Sequence, residues 1–450
     1  MKTLLIIPPS NSDSPLPTLG VAYLASSLQR AGHETRIFDL WTEPLSDQQL
    51  LEKIGEYQPD LVGITFFTRR YSATKKLADD IKGWFPDKKI VVGGYHPSAL
   101  PRETLSEIQS IDFVAIGEGE ETIVELLESL PDKEWDRVHG IGYRGEGGAV
   151  VLTPPRKFIK DLDGLAYPDL LQVDPRKYRI HPPYGWFGLP LTMITTRGCP
   201  GKCTFCSKSV FKRTLRSLSP RKVVDEILYW KERLPVKEIR FYDDDFTISQ
   251  KRTFEICDLL IEEKVNLPWT CTTRVDFLSR DLMVRMKEAG LYFITLGVES
   301  GSPKVLKALQ KGYTVRHIRD AFSWAHQLDL VTFAFFMVGC PEETEADVAL
   351  TMAIQKEIKP DFLNWGVLRV VPGSQLFEEF KRDHAYDFSC DQNPIYRQDL
   401  DEKYLCKLCK KGMLTHYTSP RGARAVLKYF YKTKNFGVIA NGLQWIKELI

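Results

Sequence analysis

Along the first third of the chain, apolar residues alternate between short continuous runs and helical spacing. Leu4-Leu5-Ile6-Ile7 reads as a buried strand ended by Pro8-Pro9, and Leu19 to Leu28 carries apolar residues at helical spacing up to a stop at Gly32. Glu34 to Asp39 and Leu61 to Thr65 predict further strands, followed by a helix over 72–83, a strand Lys89 to Gly94 and a helix from Pro101. Phe113 to Ile116 is the next strand, and Gly117-Glu118-Gly119 leads from it into another helix. Strands alternating with helices imply a parallel sheet, so residues 1–135 are expected to form a doubly wound α/β domain. Ligands of such sheets bind beyond the carboxyl ends of the strands. The turns at that edge hold Thr18-Leu19-Gly20, Thr65, Gly93-Gly94 with His96, and Gly117-Glu118-Gly119, which are the candidate ligand-binding residues.

Residues 136–185 read as a linker with a hairpin, Gly140 to Arg144 against Val150 to Thr153, after which prolines 154, 155, 168, 175, 182 and 183 keep the chain extended. From 186 to 380 the strand and helix beat resumes. Strands are expected at Leu191–Thr196, Glu238–Tyr242, Trp269–Arg274, Phe293–Gly301 and Phe333–Glu342, with the last from Val367. That makes about six βα units, short of the eight of a closed barrel, so a partial (β/α)6 TIM barrel is expected. Residues 381–450 predict a small helical C-terminal domain.

Composition narrows the class. An apolar content of 43% with 27% charged residues is ordinary for a soluble globular protein, and 61 basic against 59 acidic residues leave no global field for nucleic acid. The N-terminal apolar run is too short for a signal segment and no run approaches a membrane span, so a cytoplasmic, non-integral protein is expected. Locally the tail is basic, with ten Lys or Arg from 401 to 450 against Asp401, Glu402 and Glu448, interleaved with Tyr429, Phe430, Tyr431, Phe436 and Trp445. Such a face is either simply solvated or able to seat an anionic substrate or touch a membrane surface.

The candidate chemistry lies at Cys199, Cys203 and Cys206, three cysteines in one short loop at the end of the first barrel strand. A C-x3-C-x2-C run is how proteins hold iron–sulfur clusters, and three ligands on a four-iron cluster leave one iron open to a small molecule. A zinc site would want a fourth ligand nearby, and His181 and Cys257 are distant along the chain. Two more cysteines, Cys406 and Cys409, stand at helical spacing and read either as buried thiols or, with Cys390, as an auxiliary cluster site.

Cys199, Cys203 and Cys206, with the aromatic Phe205 before the third, resemble the signature of the radical S-adenosylmethionine (SAM) superfamily. The resemblance implies a 4Fe-4S cluster whose open iron is chelated by the amino and carboxylate groups of SAM. One electron, from an external flavodoxin-like or ferredoxin-like reductant, then cleaves SAM to a 5′-deoxyadenosyl radical. It further implies that the Asp243-Asp244-Asp245-Phe246-Thr247 loop meets the SAM amino group, although Asp245 or Thr247 could equally cap a helix. In Gly297-Val298-Glu299-Ser300-Gly301, Glu299 and Ser300 would face the ribose and carboxylate of SAM. The strand ending at Gly339 resembles the segment that cradles adenine, with Phe335 where a glycine is sometimes found and with Met337 and Cys340 as core residues.

The N-terminal turns Pro15 to Gly20, Gly93 to Pro97 and Gly117 to Glu120 resemble the cobalamin-binding domain of B12-dependent radical SAM enzymes. The D-x-H-x-x-G motif is absent, so cobalamin is expected without a protein histidine on cobalt, and His96 can simply cap or pack. Together these pieces resemble the class that methylates unactivated carbon or phosphorus and that includes the anaerobic tetrapyrrole cyclase. The expected activity is methyl transfer to an anionic or amphipathic small molecule. In that mechanism one SAM methylates cobalamin and a second generates the radical that removes hydrogen from substrate. A cyclase or rearrangement enzyme is the alternative within the class, and a non-catalytic cobalamin or redox sensor the alternative outside it.

Overall fold

A computed structural model of the chain describes residues 1–10, 16–178 and 183–434. Pro15, His181, Pro182, Phe436, Trp445, Lys447 and Glu448 lie outside the described residues. The chain divides into two compact units. One comprises Met1–Arg179, Cys206–Thr214 and Val370–Pro394, the other Ile180–Phe205, Leu215–Arg369 and Ile395–Ile450.

The first unit is built on strands β1 (Lys2–Ile7), β2 (Glu34–Asp39), β3 (Leu61–Thr65), β4 (Lys89–Gly93), β5 (Phe113–Ala115), β6 (Ile141–Arg144) and β7 (Val150–Leu152). They form one sheet in the order β2-β1-β3-β4-β5-β6-β7, parallel through β5 and antiparallel beyond it. The parallel part has the flavodoxin-like order, with its switch point between β1 and β3. Helices α1 (Leu19–Arg30), α2 (Asp47–Tyr57), α3 (Tyr71–Trp84), α4 (Tyr95–Ala99), α5 (Pro101–Glu107) and α6 (Glu120–Ser129) connect the strands. Every residue of β1 from Thr3 to Ile7 is buried, as a central strand covered on both faces requires. Leu5 and Ile7 join Val21, Ala25 and Leu28 of α1 and Ile123 and Leu127 of α6 in one core.

The hairpin at 140–153 is therefore not a linker. Ile141, Gly142 and Tyr143 pair with β5, so the segment extends the first sheet by two strands. Gly142 permits this close packing, because a Cβ there would come within 2.8 Å of Leu152.

The second unit holds β8 (Pro190–Met193), a two-residue antiparallel pair β9 (Thr196–Arg197) and β10 (Arg216–Ser217), and then β11 (Glu238–Phe241), β12 (Trp269–Arg274), β13 (Leu291–Glu299), β14 (Val331–Val338) and β15 (Phe362–Val367). Six of these form an all-parallel sheet in chain order, β8-β11-β12-β13-β14-β15, the expected six βα units. The connecting helices are α7 (Pro220–Arg233), α8 (Gln250–Glu262), α9 (Arg280–Glu288), α10 (Pro303–Ala308), α11 (Val315–Gln327) and α12 (Glu345–Ile358). Helix α13 (Gln375–Asp383) returns to the first unit, while α14 (Glu402–Tyr417) and α15 (Pro420–Thr433) fold onto the second rather than forming a domain of their own. Ala425 and Tyr429 of α15 share a core with Phe293, Phe333 and Phe362.

The last barrel strand ends at Val367, where the sequence pattern starts it. The apolar alternation of Val367 to Val371 continues past the sheet, and Val370 N–H donates to the Pro394 carbonyl instead.

Candidate active site

Every barrel strand delivers its carboxyl end to the rim that carries the cysteine loop. Asp243, at the end of β11, is buried, and its carboxylate accepts from the backbone N–H and hydroxyl groups of both Thr195 and Thr196. It thereby fixes the chain just before Gly198, whose φ of 81° starts the loop. Burial raises the Asp243 pKa, although these hydrogen bonds oppose the rise. Its acceptors are thus engaged by the strand it anchors. Asp244 is exposed. Asp245 accepts from Thr273 Oγ1 at 2.7 Å, while its Oδ2 is buried with no partner. Burial raises its pKa to about 6. An orphaned buried acceptor on this rim fits a ligand that brings N–H donors, such as an amino group.

In the loop, Gly201 lies against two of the sulfurs: a Cβ there would come within 3.2 Å of Cys199 Sγ and 3.9 Å of Cys203 Sγ. Arg274, the last residue of β12, points Nη1 at Cys203 Sγ from 3.6 Å and is held by bidentate bonds to Asp276 at 2.9 and 2.8 Å. This sets a fixed cation beside one of the three sulfurs. Among the described residues no three His, Cys, Asp or Glu side chains gather closely enough to hold a metal ion. Cysteines on separate irons of a cluster are spaced wider than the ligands of one ion, and three free thiols in one loop are the donor set for such a cluster.

The Gly297 to Gly301 segment has a structural account residue by residue. Glu299 adopts φ 61°, at an irregularity in the β13–β14 register, and its carboxylate meets Lys311 Nζ at 3.1 Å. Gly297 makes room for this, because a Cβ there would lie 2.6 Å from Glu299 Oε1. The Lys311 ammonium also stands 5.4 Å from the Phe205 ring and 5.3 Å from that of Tyr313. Burial opposes its charge, but Glu299 more than offsets this and raises the pKa. Phe205, Glu299 and Lys311 thus meet at the loop. Ser300 does not: it is fully buried, shares a hydrogen bond with Thr351 of α12 and accepts from Ser302 N–H. Gly301 is required for that packing, since its Cβ would lie 2.5 Å from the Leu350 carbonyl. Gly339, at φ 78°, donates its N–H to Glu343 Oε2 at 2.7 Å, which shapes the turn after β14.

In the first unit, Thr65, Gly93, Gly94 and Gly117–Gly119 all lie at the carboxyl edge of the sheet, and Thr18 and Gly20 open α1 there. Gly94, at φ 118°, packs its Cα against the Phe66 carbonyl, which a Cβ would approach to 2.9 Å. Phe67 and Tyr95 are exposed on this edge with rings 5.7 Å apart, an apolar surface suited to a broad, flat ligand.

Three expected contacts turn inward instead. His96 is 2% exposed, stacks on Phe66 at 4.4 Å and pairs with Thr68 Oγ1, and burial lowers its pKa to about 4. The Glu118 carboxylate accepts from Ile159 N–H, and Leu19 is buried. Of the second set of cysteines, Cys409 is buried and Cys390 exposed. Arg274 was missed by sequence reasoning; an arginine closing an otherwise apolar and threonine-rich strand is the signal it left.

Two family models match the chain: the B12 binding domain over residues 10–127 and the radical SAM superfamily over residues 193–353. An uncharacterized methyltransferase of Pyrococcus horikoshii is 33% identical over 84% of this chain and 83% of its own length. The anaerobic magnesium-protoporphyrin IX monomethyl ester cyclase of Rubrivivax gelatinosus is 33% identical over 83% of this chain and 68% of its own. Among solved structures, the radical SAM methyltransferase TsrM of Kitasatospora setae, with tryptophan and a SAM analogue bound, aligns over 86% of this chain and 77% of its own with TM-score 0.72 at 17% identity. No helix among the described residues is long and apolar enough to cross a membrane. With both domain models matched in this order and a relative 33% identical over most of both chains, the chain belongs to the radical SAM enzymes that carry an N-terminal B12 binding domain.

Proposed function

We propose that this enzyme transfers a methyl group to an unactivated carbon or phosphorus centre of a small molecule, using SAM, a 4Fe-4S cluster and cobalamin. The observation that carries this reading is the pairing, in one chain, of the glycine-lined rim of the first unit with the Cys199–Cys206 loop of the barrel. Cys199, Cys203 and Cys206 would hold the cluster, and the edge bearing Gly94, Gly117, Phe67 and Tyr95 would hold cobalamin. Bound, these groups supply one-electron cleavage of SAM and a transferable methyl group. The protein's own share is to hold Cys203 beside a fixed cation, to offer Asp245 Oδ2 as an acceptor and to keep Lys311 charged and in place through Glu299. His96, sealed among aromatic rings, would not be offered to a cofactor at this edge.

A cyclase or rearrangement is the second reading, favoured by the cyclase relative at 33% identity. A flavodoxin-like or ferredoxin-like reductant, a cytoplasmic location and a membrane-surface role for the basic tail belong to the same proposal. Anaerobic incubation with SAM, reductant and cobalamin, followed by mass spectrometry, separates the readings. A methylase yields both 5′-deoxyadenosine and S-adenosylhomocysteine, and a cyclase yields the first without the second. A chain that binds cobalamin yet cleaves no SAM refutes both.

A further inference from the structure

The two faces of the barrel strands differ in a way that a packed core would not. Along β11, β12, β14 and β15, half-exposed residues alternate with buried ones: Arg240 and Tyr242 around buried Phe241, Thr272 and Arg274 around Thr273, Phe335 and Met337 around Phe336. The buried set packs outward, as in the stacks of Phe241 on Phe246 at 4.4 Å and Phe336 on Trp365 at 5.0 Å. The half-exposed set faces the concave side. One ring shows this: Tyr184 touches Arg240 of β11 at 3.9 Å, Phe293 of β13 at 5.1 Å and Phe333 of β14 at 6.1 Å, and its hydroxyl stands 3.4 Å from Thr295 Oγ1. Side chains of strands that are not all neighbours converge on one ring only inside the curve of the sheet. Tyr184 closes the inner end of that space, anchored by Tyr429 of α15, whose hydroxyl donates to the Tyr184 carbonyl at 2.8 Å.

Arg240 is the charged residue immediately above this floor. Its guanidinium lies 3.9 Å from the Tyr184 ring and 5.1 Å from that of Tyr242, so aromatic faces hold it flat. Glu238, one layer below on the same face, is engaged by Phe187 N–H and the Tyr292 hydroxyl, both at 3.1 Å. Among the described residues no carboxylate lies within ion-pair distance of Arg240. A half-buried guanidinium between aromatic rings, hydrogen-bonded to the Tyr184 side chain and without an ion-paired carboxylate among the described residues, has further donors for a planar or tetrahedral oxyanion.

We propose that Arg240 binds an anionic group of the substrate, a carboxylate or a phosphoryl or phosphonyl oxygen, and so sets which molecules enter the barrel. The proposal rests on the barrel being the catalytic unit, and it deepens that reading by naming a substrate class.

The test uses the full chain and two probes, benzoate and inorganic phosphate. Phenylglyoxal labelling is followed at each arginine by peptide mass spectrometry, with Arg233 on α7 as a surface reference. Arg240 is expected to react, and one or both probes to slow its labelling about tenfold, the scale of one charge-assisted hydrogen bond, while Arg233 is unaffected. Protection by benzoate alone assigns a carboxylate, and by phosphate alone a phosphoryl group. Probe affinity should fall about tenfold in Arg240→Gln and also in Arg240→Lys, which keeps the charge but loses the fork. Absence of protection at Arg240, equal protection at Arg233, or unchanged affinity in a folded Arg240→Gln variant overturns the proposal. A chain that shows protection yet never cleaves SAM refutes the catalytic reading instead, so the two failures are distinguishable.

Discussion

Removing the Glu299 carboxylate should leave Lys311 as a buried cation without a counter-charge. The two side chains are 11% and 5% exposed, with Nζ and Oε1 3.1 Å apart. At an effective dielectric of about 20, two charges at that separation attract by about 5 kcal/mol. Breaking such a pair from one side costs about 3–5 kcal/mol, whereas replacing both partners with apolar groups of similar volume is close to neutral. Glu299→Ala should therefore lower the urea unfolding free energy of the barrel by about 3 kcal/mol or more, and Lys311→Met by a similar amount. The double variant should recover most of the loss, giving a coupling energy of about 2 kcal/mol or more. Far-ultraviolet circular dichroism follows unfolding, and iron content reports whether the loop beside Phe205 keeps its geometry. If Glu299→Ala keeps full stability while SAM affinity falls, the carboxylate works on SAM rather than on Lys311, and the structural argument fails.

Replacing Cys199, Cys203 and Cys206 together with Ala should abolish 5′-deoxyadenosine formation and iron binding, and full production in that variant would refute the cluster assignment. Cobalamin bound to the reconstituted, 15N-labelled chain should show a Co(II) spectrum without 15N hyperfine splitting, because His96 is sealed among Phe66, Tyr71 and Phe388; 15N splitting would contradict this. Glu226, buried on α7, has its pKa raised to about 8 by burial, so the folded state holds a proton that the unfolded state gives up near 4.5. Its contribution is full below that lower value and is lost as pH rises toward 8, and Glu226→Gln should flatten the decline by a few kcal/mol on the order set by linkage. Urea midpoints at pH 5.5 and 8 check this, and parallel declines in both proteins would refute it. Arg274→Gln should shift the cluster midpoint potential downward in an EPR-monitored titration, since a cation beside Cys203 favours the reduced state; an unchanged potential would mean that the 3.6 Å contact has no electrostatic effect.

Much of the architecture was legible because period and length agree. Pure apolar runs such as Leu4 to Ile7 are what a parallel strand covered on both faces requires, and the loop Cys199 to Cys206 carries its chemistry in its spacing alone. What was not legible is direction. Ser300 and Glu299 are adjacent in a motif expected to face one ligand, yet the positive φ at Glu299 turns its carboxylate to Lys311 while Ser300 points into α12. Asp243 and Asp245 read alike in sequence, and only the fold shows that two threonines consume the acceptors of the first while one oxygen of the second has none. The hairpin at 141–152 was legible as a hairpin but not as sheet, because its partner β5 lies outside the local pattern.

Strand alternation explains why the missed residues were missed. Arg240 lies inside and Arg274 closes a strand that otherwise reads as buried, and sequence alone does not say which face either charge takes. In the fold each sits on the concave face, where aromatic rings flank Arg240 and Asp276 pairs with Arg274. Their outward neighbours Phe241 and Thr273 are buried. Substitutions on the two faces should therefore differ in kind: truncating Phe241 removes a ring stacked on Phe246 and acts on stability, whereas changing Arg240 leaves the outer packing intact and acts on what the barrel can hold. A charged residue at alternate positions of a parallel barrel strand is in this sense a sequence-readable mark of the ligand-facing side, provided that its neighbour on the strand is buried, as Phe241 and Thr273 are.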